Sequence, residues 1–216
     1  KPLAKINGKE MIVRVLERCT YNYDVFAIVN DLKISNVIQK NGFKHILIKE
    51  NCKTGTDRIG LALKKLKLKP NDLIINVQGD EPMVNSSMID KVIQAKLISP
   101  DYVINSYTKI KSEEEYFSSS TIKMVFNKNE DLIYASRAPI PASKNIINLS
   151  NSYKQVCIYA FSCEQLSLFI KTKRGPIEKN EDIEILRFLE NSICRVKMVN
   201  LGDINLHAVD NPEDIR

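Results

Sequence analysis

Leu73-Ile74-Ile75-Asn76-Val77-Gln78-Gly79-Asp80-Glu81-Pro82 passes without a break from an apolar, β-branched run to an acidic turn. A run lacking polar alternation reads as a strand buried on both faces, as in sheets covered by helices. Gly79 lets the backbone turn sharply there and Pro82 fixes the exit, so Asp80 and Glu81 are expected at a rigid rim. Upstream, Ile12, Val15, Leu16 and Cys19 have the spacing of a half-buried helix after an Asn7-Gly8-Lys9 turn. Residues 24–30 and 45–48 read as short strands, and residues 31–41 and 56–68 as helices. Such alternation predicts an α/β fold with a mostly parallel sheet and helices on both faces. After Pro100 the pattern becomes strand-rich over 102–107, 122–127, 132–136 and 155–162, an insertion or the far side of the same sheet. Helical stretches at 164–172 and 182–191 and a strand at 195–201 follow.

With 216 residues, 44% hydrophobic and 27% charged, the chain suits one globular domain over residues 1–216. Its formal net charge of +6 would serve a polyanionic ligand, nucleotide as readily as nucleic acid, but mixed runs such as residues 63–69 read as solvated helix faces. No nucleic-acid partner is expected. Five cysteines without Cys-x-x-Cys pairing fit a reducing compartment. No apolar run approaches the ~20 residues that span a bilayer, and a cytoplasmic protein without a membrane partner is expected. Lys1 stands where an α/β domain would ordinarily have begun with a strand, so the chain is expected to lack its natural N-terminus.

Ligands of open α/β sheets bind beyond the carboxyl ends of the strands, where Asp80 is expected. A carboxylate there suits a hard cation such as Mg²⁺ that bridges to phosphates; equally, Asp80 could cap a helix beginning near Ser86. Asp210, in the acidic segment 207–214 after the last strand, is either a second metal ligand or a helix cap. Lys53-Thr54-Gly55-Thr56-Asp57-Arg58 offers backbone N–H groups to an anion or base edge, though it lacks the Walker pattern, and no Gly-x-Gly-x-x-Gly occurs. Arg137, in Ser136-Arg137-Ala138-Pro139-Ile140-Pro141, suits a carboxylate or phosphate, or a surface ion pair. His45 and His207 have no nucleophile in context, so covalent catalysis is not indicated.

Together with Lys1-Pro2-Leu3 and Asn7-Gly8-Lys9, the segments 54–58, 76–82, 136–141 and 209–214 stand in the order found in 3-deoxy-manno-octulosonate cytidylyltransferases, which the whole chain resembles. The resemblance implies a Rossmann-like domain of the nucleotide-diphospho-sugar transferase type, Mg²⁺ dependence and a homodimer formed through the region between Tyr102 and Tyr159. It also implies CTP and a 2-keto-3-deoxy sugar acid as partners and a place in lipopolysaccharide biosynthesis. By it, Asp80 and Asp210 would carry the metal, Lys1 would neutralise the triphosphate, and Thr56 and Arg58 would shape the nucleotide pocket. Gln78, Arg137, Gln155, Tyr159 and Glu178 would face the sugar. Two departures bear on this. The phosphate-binding stretch expected before Lys1 is absent from the sequence, which implies weak CTP binding. Gln155-Val156-Cys157-Ile158-Tyr159 and Glu184-Ile185-Leu186-Arg187 stand where the family carries His-Leu-Gly-Ile-Tyr and Glu-Gln-Leu-Arg, which leaves the sugar open. A non-catalytic nucleotide-binding relative and a glycosyltransferase are the competing readings; the latter usually shows Asp-x-Asp where this chain has Gly79-Asp80-Glu81.

Overall fold

The computed structural model describes residues 1–20, 23–70, 72–144 and 149–204. The chain opens with a hairpin of β1 (Lys5–Ile6) and β2 (Lys9–Glu10). Asn7 and Gly8 turn it, both with positive φ, the Asn-Gly signature of a tight hairpin. Helix α1 (Met11–Cys19) follows, with the expected bounds and Ile12, Val15, Leu16 and Cys19 turned inward. Strands β3 (Ala27–Val29) and β4 (His45–Leu47) pair in parallel around α2 (Leu32–Lys40), whose first N–H groups donate to the Asp31 side chain. Helix α3 (Gly55–Ala62) tightens into a 3₁₀ turn at Leu63–Lys65, earlier than the periodicity predicts. Pro70 disfavours helical geometry at the residue before it, and Lys64, Lys65, Lys67 and Lys69 face solvent as expected.

Strand β5 (Leu73–Val77) leads to α4 (Ser86–Ile98), then β6 (Val103–Lys109) and α5 (Glu113–Phe117). Next come β7 (Lys123–Phe126), β8 (Leu132–Ser136) and the ten-residue β9 (Tyr153–Ser162). The chain continues through α6 (Cys163–Lys171), α7 (Pro176–Glu181), α8 (Leu186–Glu190) and β10 (Val196–Asn200). The sheet of six strands runs β10-β6-β9-β7-β8, with β5 also paired to β9. Strands β5, β6, β7 and β10 share one direction, the parallel-rich set expected of an α/β fold. Strand β9 runs against them through the middle, so most neighbouring pairs are antiparallel. The cause is local: β7 and β8 are joined by a short turn, and among the described residues no α-helix lies between β8 and β9 to carry a parallel crossover. The strand-rich stretch is therefore part of the same sheet. Its long strand holds β5 along residues 158–162 and β7 along 153–154.

Alternation along β9 divides the core. Tyr159 and Phe161 pack with Phe169 and Phe188 of α6 and α8 on one face, while Val156, Ile158 and Ala160 meet Val15 of α1 and Met88, Ile89 and Val92 of α4 on the other. Helices thus cover both faces. The helix expected over 182–191 is shorter: Asp182 takes a left-handed conformation that ends α7, and α8 begins only at Leu186. None of the five cysteines is disulfide-bonded. No helix among the described residues is long and apolar enough to cross a membrane.

Helix α3 lies against α6 so closely that a Cβ at Gly60 would fall 2.2 Å from Ile170 Cγ2. Gly60→Ala should lower the thermal midpoint: overpacking costs about 1–3 kcal/mol against roughly 1 kcal/mol of helix propensity gained. An unchanged or raised midpoint would contradict this packing.

Candidate active site

The end of β5 separates two neighbouring carboxylates. Gln78 N–H continues the ladder by donating to Cys157 O at 3.2 Å, and Glu81 N–H closes a turn onto Gln78 O at 3.2 Å. Gly79 passes so near α1 that a Cβ would sit 3.1 Å from Ile12 Cδ1. Glu81 turns inward, buried, and accepts from Cys157 N–H at 3.2 Å, which corrects the expectation that it stands at the rim. Asp80 turns outward, where Lys1 Nζ approaches Oδ2 at 3.0 Å. The cap of α4 is Asn85, which accepts from Met88 N–H at 3.1 Å, so Asp80 is not the helix cap.

Lys1, Gln78 and Asp80 stand at one end of a cavity of about 830 Å³ that extends along β3, β5 and α1, its walls mostly apolar side chains such as Ile12, Val15, Ile28 and Ile75, with Gly55, Arg58 and Asn76 also on the lining. This joins the strand end to the start of α3. Thr54 and Asp57 form a reciprocal capping box there. Thr56 is buried, its hydroxyl accepting from Asn76 Nδ2 at 3.4 Å and its N–H donating to Glu184 Oε2 at 3.1 Å. Arg58 lines the cavity, and its buried Nε–H has no hydrogen-bond partner among the described residues.

Arg187 fixes this corner. It is buried, and its guanidinium forks onto Glu178 (Nε and Nη2, both 2.8 Å) and Asp57 (Nη1 2.6 Å, Nη2 3.1 Å) while lying 3.8 Å from the Phe169 ring centroid. Glu178 is fully buried in that ion cluster, so the structure does not present it to a sugar: its oxygens are committed to Arg187 and to Arg174, 3.0 Å away. Arg137 is likewise tied down. Its Nε donates to Glu181 O at 2.6 Å, Nη1 to Ser119 O at 2.8 Å and Nη2 to Asp182 O at 3.3 Å. Beneath it the buried Lys123 ammonium donates to the carbonyls of Ser118, Thr121 and Arg137. Burial lowers the Lys123 pKa, and the nearby Arg137 charge adds to that.

Gln155, Cys157 and Tyr159 alternate onto one face of β9. Gln155 Nε2 donates to Asn105 Oδ1 at 2.8 Å; Tyr159 is buried, and burial pushes its pKa well up. Arg137, Gln155, Tyr159 and Glu178 do not line the cavity that Lys1, Gln78, Arg58 and Asp80 share. Asp210 lies outside the described residues. Sequence reasoning missed Glu184, half-buried, whose Oε1 accepts from Gln78 Nε2 at 3.1 Å. The signal was its place three residues before Arg187, which puts both on the turn facing Thr54–Asp57.

The family model described as Cytidylyltransferase matches residues 1–198. The chain belongs to the cytidylyltransferase family. Among the relatives of this cytidylyltransferase, an 8-amino-3,8-dideoxy-manno-octulosonate cytidylyltransferase of Shewanella pealeana is 34% identical over all of the chain and 89% of its own length. A 3-deoxy-manno-octulosonate cytidylyltransferase of Thermodesulfovibrio yellowstonii is 33% identical over the same shares. A solved CMP:2-keto-3-deoxy-manno-octonic acid synthetase complexed with CTP matches 99% of the chain and 87% of its own at a TM-score of 0.86 and 29% identity. A nucleotidyltransferase fold of the nucleotide-diphospho-sugar type is thereby shown.

Two outcomes test the framework. Arg187→Met, which leaves Glu178 and Asp57 without their cation, should lower stability by about 3–5 kcal/mol in urea denaturation; a loss under about 1 kcal/mol would show that the cluster is dispensable. Burial tends to raise the Glu181 pKa, but bonds from Arg137 N–H, Ser136 and Tyr134 outweigh it and hold the carboxyl below its ordinary range. The ionised form therefore stabilises the fold above the unfolded pKa, and that contribution fades as pH falls through the folded one. The gap in melting temperature between wild type and Glu181→Gln should be widest at neutral pH and close on acidification.

Proposed function

We propose that the protein transfers CMP from CTP to the anomeric hydroxyl of a 3-deoxy-2-keto sugar acid, 3-deoxy-manno-octulosonate or a relative. The sugar oxygen attacks the α-phosphorus, an O–P bond forms, the bond to the β-phosphate breaks, pyrophosphate leaves and the hydroxyl proton is lost. The observation that carries the reading is the meeting of Lys1 and Asp80 at the carboxyl end of β5, beside Gly55 and Arg58 at the start of α3. Phosphoryl-type transfer asks mainly for positioning and charge neutralisation, and these groups supply both.

Lys1 carries its ammonium to the place where triphosphate charge would gather. Arg58, on the cavity lining beside Gly55, brings the positive charge of its guanidinium to the nucleotide. Thr56, buried against Asn76, shapes the wall. A divalent cation fits the donor set: Asp80 is a hard oxygen ligand at the cavity edge, and Mg²⁺ characteristically takes one or two protein carboxylates and completes its shell with water and phosphate oxygens. Asp80 and Asp210 would hold it. When bound, it would neutralise phosphate charge. On the sugar side Gln78 borders the cavity, and in this reading Arg137 and Gln155 stand farther off, with the buried Tyr159 behind them. A homodimer is part of the same reading, supported by exposed Phe117 and Ile133 on the strand-rich region.

The test restores the stretch expected before Lys1 and follows pyrophosphate release from CTP with Mg²⁺ and a panel of 3-deoxy-2-keto sugar acids. At least one acid should be turned over, and release with none would sink the reading. Asp80→Asn should cut kcat/KM by at least about a hundredfold while leaving the melting temperature unchanged; near-normal turnover would remove Asp80 from the chemistry.

A further inference from the structure

We propose that Glu184 is a positioning residue that locks the Gln78 side-chain amide with its carbonyl oxygen facing the cavity, so that this strand end recognises a hydrogen-bond donor on the sugar acid, a hydroxyl or ammonium, rather than its carboxylate. The inference rests on the reading that Gln78 faces the sugar.

The count of donors and acceptors decides the orientation. Burial raises the Glu184 pKa against the bonds from Thr56, Thr54 and Gln78 that favour its ionised form; ionised, a carboxylate only accepts, whereas a glutamine amide both donates, through Nε2, and accepts, through Oε1. Glu184 Oε2 is occupied by Thr56 N–H at 3.1 Å, and Oε1 receives Gln78 Nε2 at 3.1 Å. Rotating the Gln78 amide by half a turn would set its oxygen against the carboxylate, a contact with no proton between two acceptors. The orientation is therefore dictated. Gln78 Oε1 has no donor among the described residues and is not a buried unsatisfied atom, and the residue borders the cavity. The anchoring is rigid: Thr56 and Gln78 lie 128 and 106 residues from Glu184 in sequence, and Arg187, one turn on, is clamped to Asp57 in the same loop.

Replacing one oxygen of Glu184 by NH₂ reverses the logic with little change of shape. In Glu184→Gln the carbonyl can still accept from Thr56 N–H, so the fold should hold. The new amine then faces Gln78, whose amide turns over and presents N–H groups to the substrate. The double variant Gln78→Glu/Glu184→Gln restores acceptors at position 78, with the amide introduced at position 184 now donating to them.

Pyrophosphate release measured against both substrates should show the KM for the sugar acid raised about tenfold or more in Glu184→Gln. The KM for CTP should stay within about twofold, and the double variant should recover the sugar KM to within about threefold of wild type. An unchanged sugar KM, a CTP KM rising in step with it, or a double variant that melts like wild type without recovering would each overturn the proposal. Side-chain amide NMR reads the same contact without turnover. The bonded Gln78 amide proton should lie downfield in wild type and move toward the solvent-exposed position in Glu184→Gln, and an unmoved resonance would also overturn it. If no sugar acid is turned over by wild type, the functional reading fails, while the NMR result still decides the role of Glu184.

Discussion

A buried guanidinium shared by two carboxylates holds together the corner of the molecule where α3 begins. Arg187 meets Glu178, nine positions away, and Asp57, 130 positions away. It thereby fastens the helical C-terminal part of the chain to the loop that starts α3. Neither carboxylate could be so enclosed without it, because an unpaired buried charge costs several kcal/mol. Asp57 serves twice: one oxygen shared with the cap of α3, both reached by Arg187. Helix α3 therefore begins where it does, with Thr56 N–H aimed at Glu184 and Arg58 at the cavity, only while Arg187 is charged. Hydrogen bonds and charge from both partners outweigh burial and raise the Arg187 pKa, so that condition holds across the accessible pH range.

Strand β9 supplies the second constraint. It crosses the sheet against the prevailing direction and is hydrogen-bonded to β5, β6 and β7, so the strand end carrying Gln78 and Asp80 cannot shift without disturbing the centre of the sheet. The Glu81 carboxylate accepts from Cys157 N–H just beyond the last paired residues and seals this junction. Two adjacent acids thus divide the labour. Glu81 secures the strand end, and that security gives Asp80, facing outward, a fixed position for charge chemistry.

Local signals made much of this legible. Strand β5 occupies the residues its apolar run marks, and α1 those its periodicity marks, because both face cores that demand that pattern. The shared cavity of Lys1, Gln78, Arg58 and Asp80 was within reach of ordered motifs. What sequence could not show was the direction of long polar side chains. Glu178 and Arg137 look like free ligands in one dimension, yet Glu178 is enclosed by arginines and Arg137 is tied to three carbonyls by contacts spanning 18 to 45 positions. Periodicity also starts the last helix too early, since the left-handed Asp182 between α7 and α8 leaves no mark in hydrophobic spacing.

The same distinction locates where sugar preference can reside. Ile185 is buried in the core beside Phe188 and Leu186, so its departure from the family pattern changes packing behind the site and not the lining of the cavity. Its neighbour Glu184 points the other way, toward Gln78 and Thr56. Gln155 is half-buried and held by Asn105, whose own amide is fixed to the carbonyls of Val156 and Ile158 at the β6–β9 bulge. An amide so anchored keeps its orientation for the reason Gln78 does: its donor is committed within the protein and its carbonyl is left for what approaches. The two glutamines are thus each oriented by a fixed acceptor, Glu184 for Gln78 and Asn105 for Gln155, although only Gln78 borders the cavity.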